Sequence, residues 1–213
     1  MANSKDKIII GNCSGFYGDR LSAAKDMVDG GPIDVLTGDY LAELTMTILY
    51  NQKMNRGEDQ GYVGTFLKQF KDVAVTCQEK NIKIVTNAGG LNPSSMANKI
   101  EEIIQELNLD LKVAYIDGDD LIPRFEELKK ANEPLANIEK GTSLYDYSKP
   151  PLTANVYFGA WGIKEALDNG ADVVVCPRVT DAAVVIGPAA WKYNWSRDNF
   201  DALAGALAAG HII

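Results

Sequence analysis

The chain has 213 residues, of which 46% are hydrophobic and 23% are charged, and this composition excludes a disordered protein. Acidic residues outnumber basic ones by 29 to 21, and the net charge of −8 disfavours nucleic acid and anionic membranes as partners. No apolar run approaches the roughly 20 residues of a membrane span, and no signal-peptide pattern is visible. Three scattered cysteines without metal-ligand spacing predict free thiols in a reducing, cytoplasmic environment.

Short β-branched runs alternate with amphipathic helices along the chain. The predicted strands are residues 7–10, 33–36, 82–85, 111–116 and 171–176. The predicted helices are residues 20–28, 41–52, 62–79, 94–107, a segment ending near 130, then 156–169, 182–193 and 200–213. Asn92 is predicted to cap a helix that has Pro93 at its first position. Residues 131–153 show no period and are predicted to form an excursion or flap.

This alternation predicts a single α/β domain over residues 1–213, with a mostly parallel, doubly wound, Rossmann-like sheet flanked by helices. In such a sheet the ligand site lies at the carboxyl ends of the strands. Five loops at those ends are rich in Asn, Asp, Thr, Ser and Gly, whereas the loops at the opposite edge are plain turns. The sequence therefore predicts a small-molecule site at one edge, although each Asp, Asn or Thr alone could equally be a helix cap.

Two glycine-rich loops are candidate anion sites. The first, residues 11–18, contains Ser14 and Gly15 in a GxxxGxxG spacing close to dinucleotide-binding patterns. The second, TNAGGLNP, contains Asn87, Gly89 and Gly90, and its amides could form an oxyanion or anion cradle. The other candidate substrate- or anion-binding residues follow later strands: Asp119, Arg178 and Thr180.

Carboxylates at the same edge are the candidate acid–base groups. Asp39 and Glu43 are four residues apart, which would place them on one helix face if that helix began at Asp39. Asp181 follows the last predicted strand. Paired carboxylates can supply one acid and one base, and Asp39 or Asp181 is the predicted general acid/base. Binding of a divalent cation by such oxygens stays an alternative, but no metal-ligand motif is present.

Arg178 directly follows a buried strand and is predicted to need a carboxylate or phosphate partner, from the protein or from a ligand. Cys13 and Cys176 are predicted to be inert, since no histidine lies near either in sequence. Tyr145 and Lys149 match the YxxxK spacing of short-chain dehydrogenases, but two prolines follow at once. We interpret that match as a coincidence.

Long motifs in these loops resemble one protein family. The segments GNCSGFYGDRLSAAKDMVDGGPIDVLTGDYLAELTM, VTNAGGLNP, DGDDLIP, ANVYFGAWGIKEAL and ADVVVCPRVTDAAVVIGPAAWKYNW are similar to the acyclic terpene utilisation proteins of the AtuA type. The resemblance implies degradation of acyclic terpenes, whose intermediates are branched acyl-CoA thioesters. Members are typically longer, so we expect this chain to be the N-terminal part of a longer protein or one subunit of a split one.

Three functions remain open from the sequence. The first is a catabolic enzyme acting on a branched or hydroxylated carboxylic acid or its CoA thioester, by hydration, lyase or hydrolase chemistry. The second is a nucleotide-dependent oxidoreductase, suggested by GxxxGxxG and YxxxK. The third is a non-catalytic scaffold subunit, suggested by the apolar C-terminal segment, on which a second copy or a partner chain would pack.

Overall fold

The computed structural model describes residues 7–213, and five strands in this range form one parallel sheet. The strands are β1 (Ile10–Asn12), β2 (Val35–Gly38), β3 (Lys83–Thr86), β4 (Val113–Tyr115) and β5 (Val173–Val175). Their order across the sheet is β1-β2-β3-β5-β4. The α/β, Rossmann-like fold is therefore confirmed, with helices on both faces of an all-parallel sheet.

Eight α-helices connect and cover the strands within the described residues. They are α1 (Ala23–Gly30), α2 (Glu43–Arg56), α3 (Gly64–Lys80), α4 (Pro93–Glu106), α5 (Phe125–Lys130), α6 (Trp161–Asp168), α7 (Ala183–Lys192) and α8 (Phe200–Gly210). The Asn92 side chain accepts a hydrogen bond from Ser95 N, which confirms the predicted cap in front of Pro93. Strands β1 and β2 begin later than predicted, so Asn12 and Thr37 belong to strands rather than to loops.

Successive residues of each strand face opposite sides of the sheet and join two separate apolar cores. Leu36 and Ile84 face the core formed with α1, α3 and α4, which includes the fully buried Phe70. Val35 and Val85 face the second core, formed with α6 and α7. Burial on both faces explains why these strands are continuous runs of β-branched residues.

The close packing of α6 against α7 depends on one glycine. A Cβ atom at Gly187 would lie 2.5 Å from Ile163 Cγ2, well inside van der Waals contact. Pro188 follows it inside α7, where it lacks an N–H donor. The small Gly187 lets the two helices approach, and α8 then packs on α7.

The chain between α5 and α6 is irregular, as predicted for residues 131–153. It contains one 3₁₀ turn, Leu144–Asp146, and then residues 154–158, which we call the strap. The strap bonds to the ends of two strand–loop units: Asp120 pairs with Asn155 and Val179 pairs with Phe158 as isolated bridges. It therefore crosses the carboxyl edge of the sheet above β4 and β5.

Candidate active site

Asp39 and Asn87 form the centre of the carboxyl edge, one directly after β2 and the other directly after β3. Asn87 is fully buried, and its Nδ2 donates to Asp39 Oδ1 at 2.5 Å. Its Oδ1 accepts from Tyr40 N at 2.8 Å. Because a backbone N–H faces Oδ1, the amide group of Asn87 can present only its NH₂ to the carboxylate. Asn87 thus holds the Asp39 carboxyl in one orientation.

The environment of Asp39 favours its protonated form. Burial raises the pKa of the Asp39 carboxyl above its usual range, and the nearby charge of Asp181 raises it further. The hydrogen bond from Asn87 and the charge of Arg178 act in the opposite direction, without cancelling the effect of burial. Asp181 itself is exposed near the end of the loop between β5 and α7. Two carboxyl groups in unlike surroundings therefore interact at this edge.

A small cavity of about 190 Å³ contains both aspartates, and we call it the Asp39–Asp181 pocket. Its polar lining also includes Asn12 and Thr37, and Thr37 Oγ1 lies 3.3 Å from Asn12 Oδ1 in a hydrogen bond. Val185 from α7 contributes an apolar wall. The pocket therefore places carboxyl, amide and hydroxyl groups around one small space, in which a polar group of a substrate could react.

Arg178 is buried and bonds to the protein itself. Its Nη1 donates to Leu41 O at 2.6 Å, and its Nη2 donates to Tyr157 Oη at 2.8 Å. Nη2 also lies 3.5 Å from Glu43 Oε1, and the guanidinium carbon lies 4.0 Å from the centroid of the Tyr157 ring. Of its three nitrogens, only Nε has no hydrogen-bond partner. The partner that the sequence required for Arg178 is thus supplied by α2 and the strap.

Glu43 is the first residue of α2, so the condition under which Asp39 and Glu43 would share a helix face, a helix start at Asp39, is not met. The chain instead runs extended through Ala42 before the helix begins, because Asp39 N donates to Ser14 O and ties this residue to the loop after β1. The Glu43 carboxylate is 82% exposed and accepts a hydrogen bond from Tyr157 Oη. That hydrogen bond, more than the charge of Arg178, lowers the pKa of Glu43.

Tyr157 belongs to this site but is not among the site residues predicted from the sequence, where it could line a pocket or pack in the core. Tyr157 is 44% exposed, and its hydroxyl bonds both to Arg178 and to Glu43, which is 114 positions away in the sequence. Nothing in local spacing reports such a contact, because it depends on where the strap crosses the sheet.

Asp119 and Thr180 anchor the strap. Asp119 is buried, and its Oδ2 accepts from Asn155 Nδ2 at 2.8 Å and from Arg178 N at 3.3 Å. Burial raises the pKa of Asp119 despite these bonds. Thr180 is exposed at the rim, and its N–H donates to Phe158 O at 2.9 Å. Both residues thus bond to the protein at this edge, and neither lines the Asp39–Asp181 pocket.

The predicted amide cradle at Gly89 and Gly90 is not formed. Gly89 N donates to Cys176 O at 3.1 Å, and Gly90 N donates to Asn87 O at 3.2 Å. A Cβ atom at Gly89 would lie 2.6 Å from Cys176 O, and Gly90 has a φ of +55°. Close packing of β3 against β5 and the left-handed turn account for both glycines, and neither amide is left to bind an anion.

In the loop after β1, the side-chain carboxylate of Asp19 accepts hydrogen bonds from backbone amides of the same loop. Asp19 accepts from Gly15 N at 3.1 Å and from Arg20 N at 2.7 Å, and these bonds lower its pKa. The Ser14 hydroxyl is buried and donates to Phe16 O at 3.0 Å. A phosphate on the same amides would have to displace the Asp19 carboxylate and would meet its negative charge. The geometry thus disfavours the dinucleotide site that the glycine spacing suggested.

The YxxxK match does not have the helical geometry that dehydrogenases need. Tyr145 lies in the 3₁₀ turn and packs on Phe125, with ring centroids 5.0 Å apart. Lys149 is exposed beyond the end of that turn. The two side chains therefore do not share a helix face.

The three cysteines are buried and free. Burial raises the pKa of the Cys13 thiol to about 11 and that of Cys77 to about 12, and it raises the pKa of Cys176 as well. Among residues 7–213, no three His, Cys, Asp or Glu side chains converge in a way that could hold a metal ion. No helix in the same range has both the length and the apolar character needed to cross a membrane.

Comparison with known proteins gives one match. No curated protein and no solved structure matches this chain. The family model described as "Acyclic terpene utilisation family protein AtuA" matches residues 8–213, nearly the whole chain. The chain therefore belongs to the acyclic terpene utilisation family of the AtuA type.

Proposed function

We propose that this protein is a catabolic enzyme that acts on a branched or hydroxylated carboxylic acid or its CoA thioester by acid–base chemistry of the hydratase, lyase or hydrolase type. The observation that carries the proposal is the pair Asp39 and Asp181 in one pocket, with the pKa of Asp39 raised by burial and by the charge of Asp181. Family membership supports an activity related to terpene utilisation.

The two carboxyl groups take opposite roles in this proposal. Asp39, whose pKa is raised by burial, is the proton donor, and the exposed Asp181 is the proton acceptor. In a hydration, Asp181 removes a proton from water as the water oxygen bonds to one carbon, while Asp39 delivers a proton to the neighbouring carbon. Elimination of water reverses both transfers, and proton exchange with solvent restores the starting state.

Three other predicted site residues support this pair: Asn87, Arg178 and Glu43. Asn87 orients Asp39, and Arg178 links the loop that carries Asp181 to the loop that carries Asp39 through Leu41 O. Glu43 and Tyr157 hold the guanidinium of Arg178 from the outer side. We therefore propose Glu43 as a positioning residue of the site.

Turnover of a panel of branched, hydroxylated and unsaturated acyl-CoA thioesters and free acids tests this proposal. We expect Asp39→Asn and Asp181→Asn to abolish the activity found for the unchanged protein. Asp117→Asn is the matched control, since Asp117 is an exposed aspartate at the same edge that does not line the pocket. Undiminished turnover in both pocket variants would contradict the assignment.

We also propose that the protein works in the cytoplasm and that a second copy or partner chain covers the outer side of α8. Its three free, buried cysteines support a reducing compartment. Phe200 is 71% exposed and Leu207 is 47% exposed on α8, which supports a covered surface. Light scattering tests the second part: a monomer with full activity would contradict it.

A further inference from the structure

The Asp39–Asp181 pocket lies where two larger grooves meet. A groove of about 400 Å³ shares Val185 and Ile213 with the pocket. A second groove, of about 670 Å³, shares Asn12 and Gly15 with it and runs along α1. The two carboxyl groups are thus at a junction and not at the closed end of a cleft.

The two grooves differ in chemistry. The first is lined by aliphatic and aromatic side chains of β1, α7 and α8, and none of its lining residues is charged. Ile10, Ala189 and Trp195 are among them, and the Trp195 ring stacks on that of Tyr193 at 5.5 Å. The second also has apolar lining, from Ala23 and Met27 among others, but it differs from the first in carrying the charged side chains of Asp19, Arg20 and Asp26. We call them the apolar groove and the charged groove.

From this arrangement we infer that the apolar groove is a binding subsite for the uncharged hydrocarbon portion of the substrate. Its volume of about 400 Å³ falls in the range of small-molecule sites, which are mostly apolar with a few polar groups at one end. Here Asp39 and Asp181 are those polar groups, because they line the adjoining pocket, which shares Val185 and Ile213 with the groove. The inference rests on the proposed function for the reaction, but the groove itself can be tested without turnover.

The geometry also determines which part of the substrate reacts. A hydrocarbon chain bound in the apolar groove would bring its inner end to the two carboxyl groups, while the remainder of the molecule would extend into the charged groove. The reacting atoms are then at the boundary between the hydrocarbon portion and the polar portion. A substrate that is polar along its whole length would gain nothing from the apolar groove.

Binding of n-octanol, an uncharged aliphatic probe, tests the subsite directly. Methyl NMR of the full protein should show saturable shifts at Ile10, Val185 and Ala209, with the methyl groups of Val28 and Ile100 in the opposite core unmoved. Ethanediol, which lacks a hydrocarbon chain, should cause no such shifts.

A single glycine provides a variant that fills the groove without disturbing the fold. Gly205 lines the apolar groove from α8, and a Cβ atom there meets no atom within 4 Å. Gly205→Leu should fold, because leucine is a better helix former than glycine, and should weaken octanol binding about tenfold or more. Gly64→Leu is the matched control, since Gly64 opens α3 with equally free space and lines none of the three cavities.

The outcomes separate this inference from the proposed function. Groove shifts that Gly205→Leu removes and Gly64→Leu preserves support the subsite, whatever the effect of Asp39→Asn on turnover. The inference is overturned if octanol causes no saturable shifts at the groove, or if Gly205→Leu binds octanol as tightly as the unchanged protein. Sedimentation showing a dimer that Gly205→Leu dissociates would overturn it too, because the groove would then be covered by a second copy. Loss of octanol binding in Asp39→Asn is not expected, since Asp39 does not line the groove.

Discussion

Two aspartates at the same edge of the sheet both have a raised pKa, but only one of them lines a cavity. Asp39, after β2, and Asp119, after β4, both have a pKa raised by burial. Asp119 is enclosed by the amide of Asn155 and the backbone of Arg178, whereas Asp39 faces a cavity together with Asp181. A raised pKa therefore does not identify a reactive carboxyl group by itself; the free space beside it and a second titratable group are also needed.

Measuring turnover gives the strongest test of whether Asp39, unlike Asp119, takes part in the reaction. Replacing Asp39 with asparagine removes the proposed proton donor but keeps the size of the side chain, so we expect turnover to fall by about 10²–10⁴-fold. The measurement is kcat on whichever substrate the acyl-CoA panel identifies, with Asp117→Asn unchanged as the control. A loss of less than threefold (roughly 0.7 kcal/mol) would remove Asp39 from the reaction.

The corresponding change at Asp119 should act on stability. Asp119→Ala leaves the Asn155 amide and Arg178 N without their acceptor, and we expect a cost of about 2–3 kcal/mol in the free energy of unfolding. Asp119→Asn, which keeps an acceptor oxygen, should cost less. Denaturant unfolding measures both. Equal unfolding free energies for Asp119→Ala and the unchanged protein would show that the strap does not need this anchor.

The raised pKa of Asp39 also predicts how stability depends on pH. Because the folded protein holds this proton more tightly than the unfolded chain, the ionised carboxylate lowers stability increasingly as pH rises above 3.8, the ordinary pKa of an aspartate side chain. Asp39→Asn should therefore be more stable than the unchanged protein at pH 7. The difference should vanish below pH 3.8. Thermal unfolding across the pH range measures it, and a difference that grows towards acid pH would contradict the prediction.

Substitution of Glu43 is expected to have the smallest effect on both the unfolding free energy and kcat. Its carboxylate is 82% exposed, so its interaction with Arg178 is screened by water, and Glu43→Gln should change the unfolding free energy by less than about 0.5 kcal/mol. As a positioning residue it should alter kcat no more than about tenfold, which is well below the effect at Asp39. Glu43→Ala provides the comparison without any acceptor for Tyr157. A loss in Glu43→Gln as large as that in Asp39→Asn would make Glu43 a third acid–base group.

Much of the fold followed from local patterns. Strand-forming runs such as residues 171–176 and the Asn92–Pro93 helix start are encoded within a few residues, and the structure places them close to the predicted positions. The bounds of β1 and α2 did not follow. Gly11 and Asn12 pair with β2, and Asp39 bonds to Ser14, through contacts that join separate parts of the chain.

The sequence by itself determined the fold class and the edge of the sheet at which polar side chains gather, because both depend on residue type and periodicity. Its long motifs also identified the family by resemblance. Only the tertiary structure decided which of those side chains remain free to act. Arg178, Asp119, Gly89 and Gly90 are engaged by other parts of the protein, while Asp39 and Asp181 share a pocket. The physical reason is that a polar group's partner and its burial are set by segments distant in sequence, and these two quantities control its pKa and its access to a ligand.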